Sequence, residues 1–563
     1  MSMAEVEARL TAPGASFEMD EIEIRGLRTR IWKRAIPTLR DLTERMRNHG
    51  ERIFLVYEDD RLSYADAYTR VAALAHYLRD RCGVCQGDRV ALAMRNYPEW
   101  PIAFYAVTSL GAIVVPLNAW WKREELEYGI DDSGSRVLIA DQERAALLEP
   151  SYAKLSLGHV IVAKPAHPPL AGTVDFALAT AGARPELRLP EATIHPDDDA
   201  TIFYTSGTTG NPKGALGTHR NMLTNITSAG FAQARGAMRR GDAAPSGPVG
   251  QRSILLSVPF FHVTGSHSTM AANTAAGNKL VLMHRWNPER ALELIERERV
   301  NQFGGVPSMV WQVLESPDLL KRDTSSVMNV GYGGAPASPE LVRRIHQHFG
   351  TVTSSNGYGM TETSAISTIN NSIDYLRKPD SIGRPVAVVD VKVVDSAGRT
   401  LPCGEIGELC IRGPNIVRGY WNKPEASAAT FRDGWCHSGD IARIDDEGFV
   451  YIVDRAKDML IRGGENVYCV EVEDVLYSHP AVMDAAVVGI PHQVLGEEVG
   501  AVVQVTPGAA VTEGELQAYV AERLARFKVP VRIDLRLEPL PRNANGKILK
   551  RELREAMTGS VRA

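Results

Sequence analysis

Strands that alternate with helices over most of its 563 residues mark this chain as an α/β protein with largely parallel sheets. A smaller α/β pattern fills the last hundred residues. A chain of this length exceeds one ordinary core, so two or more domains are predicted. Residues 1 to about 36 read as an N-terminal arm rather than a domain. Ser63 and Asp66 have capping-box spacing, and Ala67, Val71, Leu74 and Leu78 follow as the apolar stripe of a helix. Gly87-Asp88 marks a turn, after which Val90, Leu92 and Met94 alternate as in a strand. The stretch 101–117 is apolar but a little short to span a membrane, and Thr108, Ser109 and Gly111 interrupt it; it reads as a buried helix running into a strand. Short strands are predicted at 137–140, 159–162 and 200–203. Residues 233–251, rich in Gly, Pro and Ala, read as a flexible surface loop. Its Arg235, Arg239 and Arg240 are solvated on the plain reading and touch a membrane weakly and peripherally on the other. Near the C-terminus, 485–488 and 499–505 read as strands. Thr512 and Glu515 cap a helix that carries Leu516, Val520 and Leu524 on one face.

Composition excludes several classes. Hydrophobic residues at 44% and charged residues at 23% are ordinary for a globular protein. A formal net charge of -5 gives no electrostatic reason to expect nucleic acid. Six cysteines in so long a chain are no disulfide framework, and Cys82-x-x-Cys85, with no second pair nearby in sequence, reads as reduced thiols. The N-terminal MSMAEVEARLTAPG lacks a basic stretch followed by an apolar one, so no signal peptide and no transmembrane segment are expected, and the location is read as cytoplasmic.

The densest chemical signal is the segment 204–214, Tyr-Thr-Ser-Gly-Thr-Thr-Gly-Asn-Pro-Lys-Gly, which follows a predicted strand. Its glycines let backbone N–H groups approach phosphate oxygens. Thr205, Ser206, Thr208 and Thr209 add hydroxyl donors, and Lys213 adds positive charge. It is not a Walker A loop, because Pro212 precedes Lys213 and Gly214 follows it. Nor is 331–336 a Rossmann fingerprint, because Pro336 takes the last glycine position.

This loop resembles the phosphate loop of the adenylate-forming superfamily, which holds acyl-CoA synthetases, nonribosomal-peptide adenylation domains and beetle luciferases. Five further motifs resemble that family's in the right order: Gly333-Gly334-Ala335-Pro336; Asn356-Gly357-Tyr358-Gly359-Met360-Thr361-Glu362-Thr363; Trp435-Cys-His-Ser-Gly-Asp440; Asp454-Arg455-Ala-Lys457-Asp458; and Pro541-Arg-Asn-Ala-Asn-Gly-Lys547. The likeness covers roughly residues 40–555. It implies a large N-terminal domain of several subdomains, 1–454, with mixed and parallel sheets sandwiched by helices. A hinge at 455–458 and a small mobile C-terminal α/β lid domain, 459–563, follow.

The resemblance also implies roles. ATP would be held by Thr205, Ser206, Gly207, Thr208, Thr209, Gly210 and Lys213, by Gly333 to Pro336, and by Asn356, Gly357, Tyr358, Gly359 and Met360. Tyr358 would stack on adenine, while Asp440 and Arg455 reach the ribose. Glu362 would ligate Mg²⁺, which prefers carboxylate and phosphate oxygen. Thr361 would donate to the α-phosphate, and Lys547 would bridge the incoming carboxylate and the α-phosphate. Read alone, Asp440, Glu362 and Lys547 would each be ordinary surface charges; their ordered constellation reverses that. His262, in Val-Pro-Phe-Phe-His-Val-Thr-Gly, would otherwise be a satisfied core histidine; the family places such a residue beside the acyl carboxylate. His267 matches no motif position and reads as structural. Lys457 would be the hinge, and Gly463 and Gly464 would line a coenzyme A channel after the lid turns. The chain departs from the pattern at Cys469, where proline is usual, at His492, where aspartate is common, and at Asn545, where Ser or Thr is more frequent.

The activity implied is ATP-dependent activation of a carboxylic acid, fatty or similarly hydrophobic, to acyl-AMP with release of pyrophosphate, then transfer to coenzyme A. Trp120-Trp121 and the wording of 461–466 resemble bacterial fatty-acyl-CoA synthetases. No acidic residue lies in the predicted pocket segments 301–310 and 330–336 to pair with a substrate ammonium, which argues against an α-amino acid. With no carrier domain after residue 563, free coenzyme A is the expected acceptor. A stand-alone enzyme loading a carrier protein, an aryl or steroid-type acid, and a non-catalytic scaffold on this fold remain as alternatives. A homodimer is open.

Overall fold

In a computed structural model the protein is described over residues 1–166, 169–205, 211–242, 250–334, 339–350, 352–463, 465–506, 508–543 and 546–559. Two large sheets dominate. One has seven strands, in the order Lys213–Thr218, Asp199–Thr205, Ile113–Pro116, Arg89–Ala93, Val137–Asp141, His159–Ala163 and Thr173–Asp175; all its pairs are parallel except the first. The other has nine, with a parallel centre from Thr353–Met360 through Asn329–Gly333, Gln302–Gly305, Ser253–Leu256 and Lys279–Leu282 to Ile53–Tyr57.

The helices Tyr64–Asp80 and Glu99–Ser109 lie between these sheets, and one continuous core joins them to both. Strand residues show the period-two logic of burial on two faces. Val90 and Leu92 belong to this inner core, whereas Ala91 and Ala93 face a separate cluster with helices Arg123–Ser133 and Gln142–Leu148. The predicted helix at Ser63 and the helix-then-strand reading of 101–117 are both observed.

A third, antiparallel sheet carries Gly407–Arg412, Trp435–Ile444 and Val450–Arg455. The fourth sheet lies wholly at the C-terminal end. It pairs Val482–His492 with Gly496–Val505 in a long hairpin, with helix Glu513–Ala521 capped by Thr512 as the spacing predicts.

The reading of 233–251 as a loop is corrected. Helix His219–Arg240 runs through its first part, opened by the Thr218/Asn221 capping pair and closed by Gly241 in the left-handed region. Its arginines are not free for a membrane: Arg235 is buried against Glu7 at 3.0 Å, Arg239 pairs with Asp374 at 2.9 Å, and Arg240 donates to Ser372 at 2.6 Å. Residues 243–249 lie outside the described residues. The N-terminal arm is folded onto this helix. It consists of helix Met3–Thr11 and a hairpin of Met19–Ile24 with Leu27–Trp32, whose buried Trp32 indole donates to Ser228 at 3.0 Å. Cys82 and Cys85 are both free thiols. No helix among the described residues is long and apolar enough to cross a membrane.

Candidate active site

The antiparallel sheet sets Asp440 directly opposite Arg455 on neighbouring strands. Arg455 Nε lies 3.1 Å from one Asp440 oxygen, and the Tyr358 hydroxyl donates to the other at 2.6 Å. The turn before Asp440 is fixed by Glu408, whose carboxylate accepts the Gly439 N–H at 3.2 Å and lies 2.8 Å from His437 Nδ1. Asp440 is buried, yet each carboxylate oxygen retains a lone pair for a further donor.

These groups line a cavity of about 300 Å³. Gly334, Asn356, Gly357, Tyr358, Gly359, Met360, Asp440, Arg455 and Lys547, all singled out in the sequence, meet there. Two of its walls depend on glycine. A Cβ on Gly359 would stand 1.3 Å from the Ala365 carbonyl oxygen, and one on Gly333, just before the cavity, 2.3 Å from that of Gly357. Lys547 enters from the C-terminal region on a tight turn, its N–H donating to the Asn543 side chain at 3.0 Å. Burial first, and then the Arg455 charge, lowers its ammonium to about 8, against the pull of Asp458 and Asp440.

Glu362 and Lys213 do not line this cavity; they stand together on its flank. Glu362 sits in a one-turn helix, Thr361–Thr363, followed by Ser364 and Ala365 at φ 48 and 81. Side chains hold this unusual backbone: Asn225 accepts the Ile366 N–H at 2.7 Å, and Asn415 donates to the Thr363 carbonyl at 3.0 Å. The Tyr420 hydroxyl donates to Glu362 at 2.6 Å, and the Lys213 ammonium lies 4.7 Å from the centre of the same ring. Tyr420 was not singled out in the sequence; a lone tyrosine between two motifs carries no signal of its own. Thr205 and Lys213, the described ends of the glycine- and hydroxyl-rich segment, face one another across a strand pair. Its Ser206, Gly207, Thr208, Thr209 and Gly210 lie outside the described residues, as do Ala335, Pro336, Gly464 and Asn545.

His262 lies apart from that cavity, immediately before a π-helix, Thr264–Ala271, a form frequent at functional sites. Burial pushes its imidazole down to about 3, so the ring is neutral, and among the described residues its Nε2 has no hydrogen-bond partner. His267 is satisfied within the core, 2.9 Å from Ser266 Oγ. Trp120 and Trp121 border a second cavity of about 660 Å³ with Val306, Met309 and Gly546. Gly463 lines neither cavity; it turns the hairpin between Leu460–Arg462 and Glu465–Val467. Lys457 lies two residues beyond the end of strand Val450–Arg455.

The departures at 469 and 492 have local explanations. Cys469 opens helix Cys469–Tyr477, the position where proline is favoured because its N–H would be orphaned. Here that N–H is kept and given to the Asp454 carboxylate, while the thiol donates to the Asp458 carbonyl at 3.0 Å. Burial pushes Asp454 up to about 6. His492 Nδ1 accepts the N–H groups of Val494 and Leu495 at 3.2 and 3.1 Å, the acceptor work an aspartate would do in such a turn.

The fold and this constellation define an α/β enzyme in which acidic, basic and aromatic groups converge on one cavity beside glycine-rich strands. The model for the AMP-binding enzyme family matches residues 42–421, and that for the AMP-binding enzyme C-terminal domain matches 471–547. The chain therefore belongs to the AMP-binding enzyme family, within the adenylate-forming superfamily. It is 36% identical over 493 residues to a feruloyl-CoA synthase of an Amycolatopsis species, covering 88% of this chain and 93% of that protein. It is 34% identical over 548 residues to a long-chain-fatty-acid–CoA ligase of Bacillus subtilis, covering 92% and 94%. Among solved structures it superposes on the anthranilate CoA ligase AuaEII in complex with anthranoyl-AMP, with a TM-score of 0.82 and 27% identity, covering 93% and 98% of the two chains. The enzyme is thus of the acid–CoA ligase class.

Proposed function

We propose that this enzyme activates a hydrophobic carboxylic acid with ATP, releasing pyrophosphate, and then passes the acyl group from acyl-AMP to coenzyme A. The observation that carries this reading is the meeting of Asp440, Arg455, Tyr358 and Lys547 around one cavity. Attack of a carboxylate on the α-phosphorus brings two anions together and needs cations and fixed donors at the reacting atoms. Lys547 supplies a mobile cation between them. Asp440 accepts the ribose hydroxyls, Arg455 holds Asp440 in place, and Lys213 faces the phosphates from the strand that closes the loop. Glu362 suits Mg²⁺: it is a buried carboxylate with one oxygen held by Tyr420. When bound, that ion neutralises phosphate charge. His262, neutral and with Nε2 unpaired, is suited to meet the acyl carboxylate without adding charge.

A hydrophobic acid is supported by the apolar lining of the second cavity, with Trp120, Trp121, Leu147, Val306 and Met309, where the one acidic side chain among the described residues, Glu143, is paired with Arg144 at 2.9 Å. The likeness to a feruloyl-CoA synthase favours a second reading, an aryl acid. The test is an ATP- and coenzyme-A-dependent pyrophosphate assay over fatty, aryl and branched acids, repeated with Lys547→Ala. Turnover with at least one hydrophobic acid is expected, with adenylation lost in the variant. Pyrophosphate release from no acid, or release unaffected by Lys547→Ala, would overturn the reading.

A further inference from the structure

Lys213 and Glu362 carry opposite charges, both are given to the triphosphate and its cation by the reading above, and they come from different sheets. Left to themselves, a lysine and a buried carboxylate that meet the same side chain tend to pair directly, and each is then lost to its own task. Among the described residues no carboxylate pairs with Lys213. What stands between them is Tyr420. We propose that Tyr420 is a positioning residue that acts as a spacer: its ring face holds the Lys213 ammonium, its hydroxyl holds one Glu362 oxygen, and the two charges are kept apart, one for phosphate and one for a cation. This rests on the adenylate-forming reading above.

The backbone puts Tyr420 there independently of either partner. The segment around it adds to the edge of strand Lys213–Thr218. Tyr420 bridges Ala215, the Trp421 N–H donates to the Gly214 carbonyl at 2.7 Å, and the Leu216 N–H donates to that of Gly419 at 2.9 Å. Ala215 is two residues from Lys213, hence on the same face. Three residues earlier, the Val417 N–H donates to the Glu362 carbonyl at 3.1 Å. One short segment therefore stitches the lysine strand to the carboxylate turn. The Tyr420 ring also packs against Phe431, with centroids 5.7 Å apart. A donor on one carboxylate oxygen fixes the rotation of the group and leaves the second oxygen for a cation, as outer partners of metal ligands do.

The two contacts can be separated. Tyr420→Phe keeps the ring under Lys213 and removes the hydroxyl; Tyr420→Leu removes both. The experiment is calorimetric binding of the non-cleavable analogue α,β-methylene-ATP, first without Mg²⁺ and then across an Mg²⁺ titration, with pyrophosphate release measured alongside. For Tyr420→Phe the Mg²⁺-free affinity is expected to match wild type, while the Mg²⁺ concentration for half-saturation rises about tenfold. For Tyr420→Leu the Mg²⁺-free affinity is also expected to fall, roughly tenfold or more, because Lys213 turns to Glu362. Adding Glu362→Gln to Tyr420→Leu removes that rival partner and should restore Mg²⁺-free affinity, which a merely damaged fold would not do. Should the leucine variant fail to fold, the Mg²⁺ response of Tyr420→Phe decides alone. Variants that match wild type in both measurements overturn the spacer. A wild type that binds no ATP analogue at any Mg²⁺ concentration overturns the adenylate-forming reading itself, and the two failures are thereby distinct.

Discussion

Lys547 is a charge that this protein has placed where charge is expensive. Burial lowers its ammonium from the ordinary 10.5 to about 8, with Arg455 adding repulsion. The free enzyme therefore has the cation below about pH 8 and loses it above. Because kcat/KM reports the free enzyme, its value for pyrophosphate release is expected to fall about tenfold per pH unit on the alkaline side of that value. Lys547→Arg should abolish this limb, since a guanidinium stays charged. A profile that is flat to about pH 10 in both proteins would refute the assignment. The linkage to stability has the opposite appearance: between about 8 and 10.5 the unfolded chain binds the extra proton, so this group's contribution to stability grows as pH rises through that window. Asp440→Asn makes a second case. It turns one acceptor into a donor facing either the Tyr358 hydroxyl or the Arg455 guanidinium, both at hydrogen-bonding distance. The expected result is a KM for ATP raised about tenfold or more, with little change in the KM for the acid, read from initial rates.

The strands that carry the site depend on side-chain absence as much as on side chains. Gly357 and Gly359 share one strand, Thr353–Met360, but a Cβ at 357 meets nothing within 4 Å among the described residues, whereas one at 359 would collide with the Ala365 carbonyl oxygen. Gly359→Ala should force apart the strands that flank the Glu362 turn and cost about 3 kcal/mol or more in urea unfolding. Gly357→Ala should change stability by no more than about 0.5 kcal/mol. Equal effects at the two positions would show that the close approach is not real. Thr218→Ala, which removes the hydroxyl that accepts the Asn221 N–H at 3.2 Å, should cost about 1 kcal/mol by the same measurement. These local rules are also why so much was legible from residue order. Caps such as Ser63 and Thr512, and alternation such as that of 90–94, act within a few residues, and the sequence shows them directly. The helix through 233–240 was hidden because its support is distant: Glu7, Asp374 and Ser372 neutralise or bind its arginines from far along the chain. Motifs gave Asp440, Arg455, Tyr358 and Lys547 because chemistry constrains their spacing. Tyr420 was not visible, because its meaning lies in two contacts between sheets.

Taken as an assembly of parts, the site poses a problem of access. Lys547, from the C-terminal α/β region, shares the cavity of Asp440 and Arg455, which stand on strands of the preceding sheet. This arrangement serves attack on phosphorus, and it stands in the way of a second nucleophile approaching the acyl carbonyl from that side. On the function proposed above, the C-terminal region is expected to turn between the two half-reactions. Turning requires a short stretch of backbone that can change φ and ψ without dragging a strand or helix with it. Residues 456–459 meet that requirement. They follow the last strand residue, Arg455, and precede strand Leu460–Arg462; the Asp458 and Met459 N–H groups donate to the Arg455 carbonyl at 2.9 and 3.0 Å, the Ala456 N–H to that of Gly439 at 3.0 Å, and the Asp458 carbonyl accepts the Cys469 thiol at 3.0 Å. Lys457 lies at their centre. Proline there fixes φ near −65° and removes an N–H, so Lys457→Pro should hold one arrangement. Because the arrangement seen has Lys547 in the nucleotide cavity, pyrophosphate release in a single turnover should survive within about threefold, whereas acyl transfer from preformed acyl-AMP to coenzyme A should fall at least about a hundredfold. Lys457→Ala, which keeps the backbone free, should retain both. If proline at 457 depressed the two half-reactions equally, the turn would lie elsewhere in the chain, and Lys547 would have to leave the cavity by local movement of its own loop.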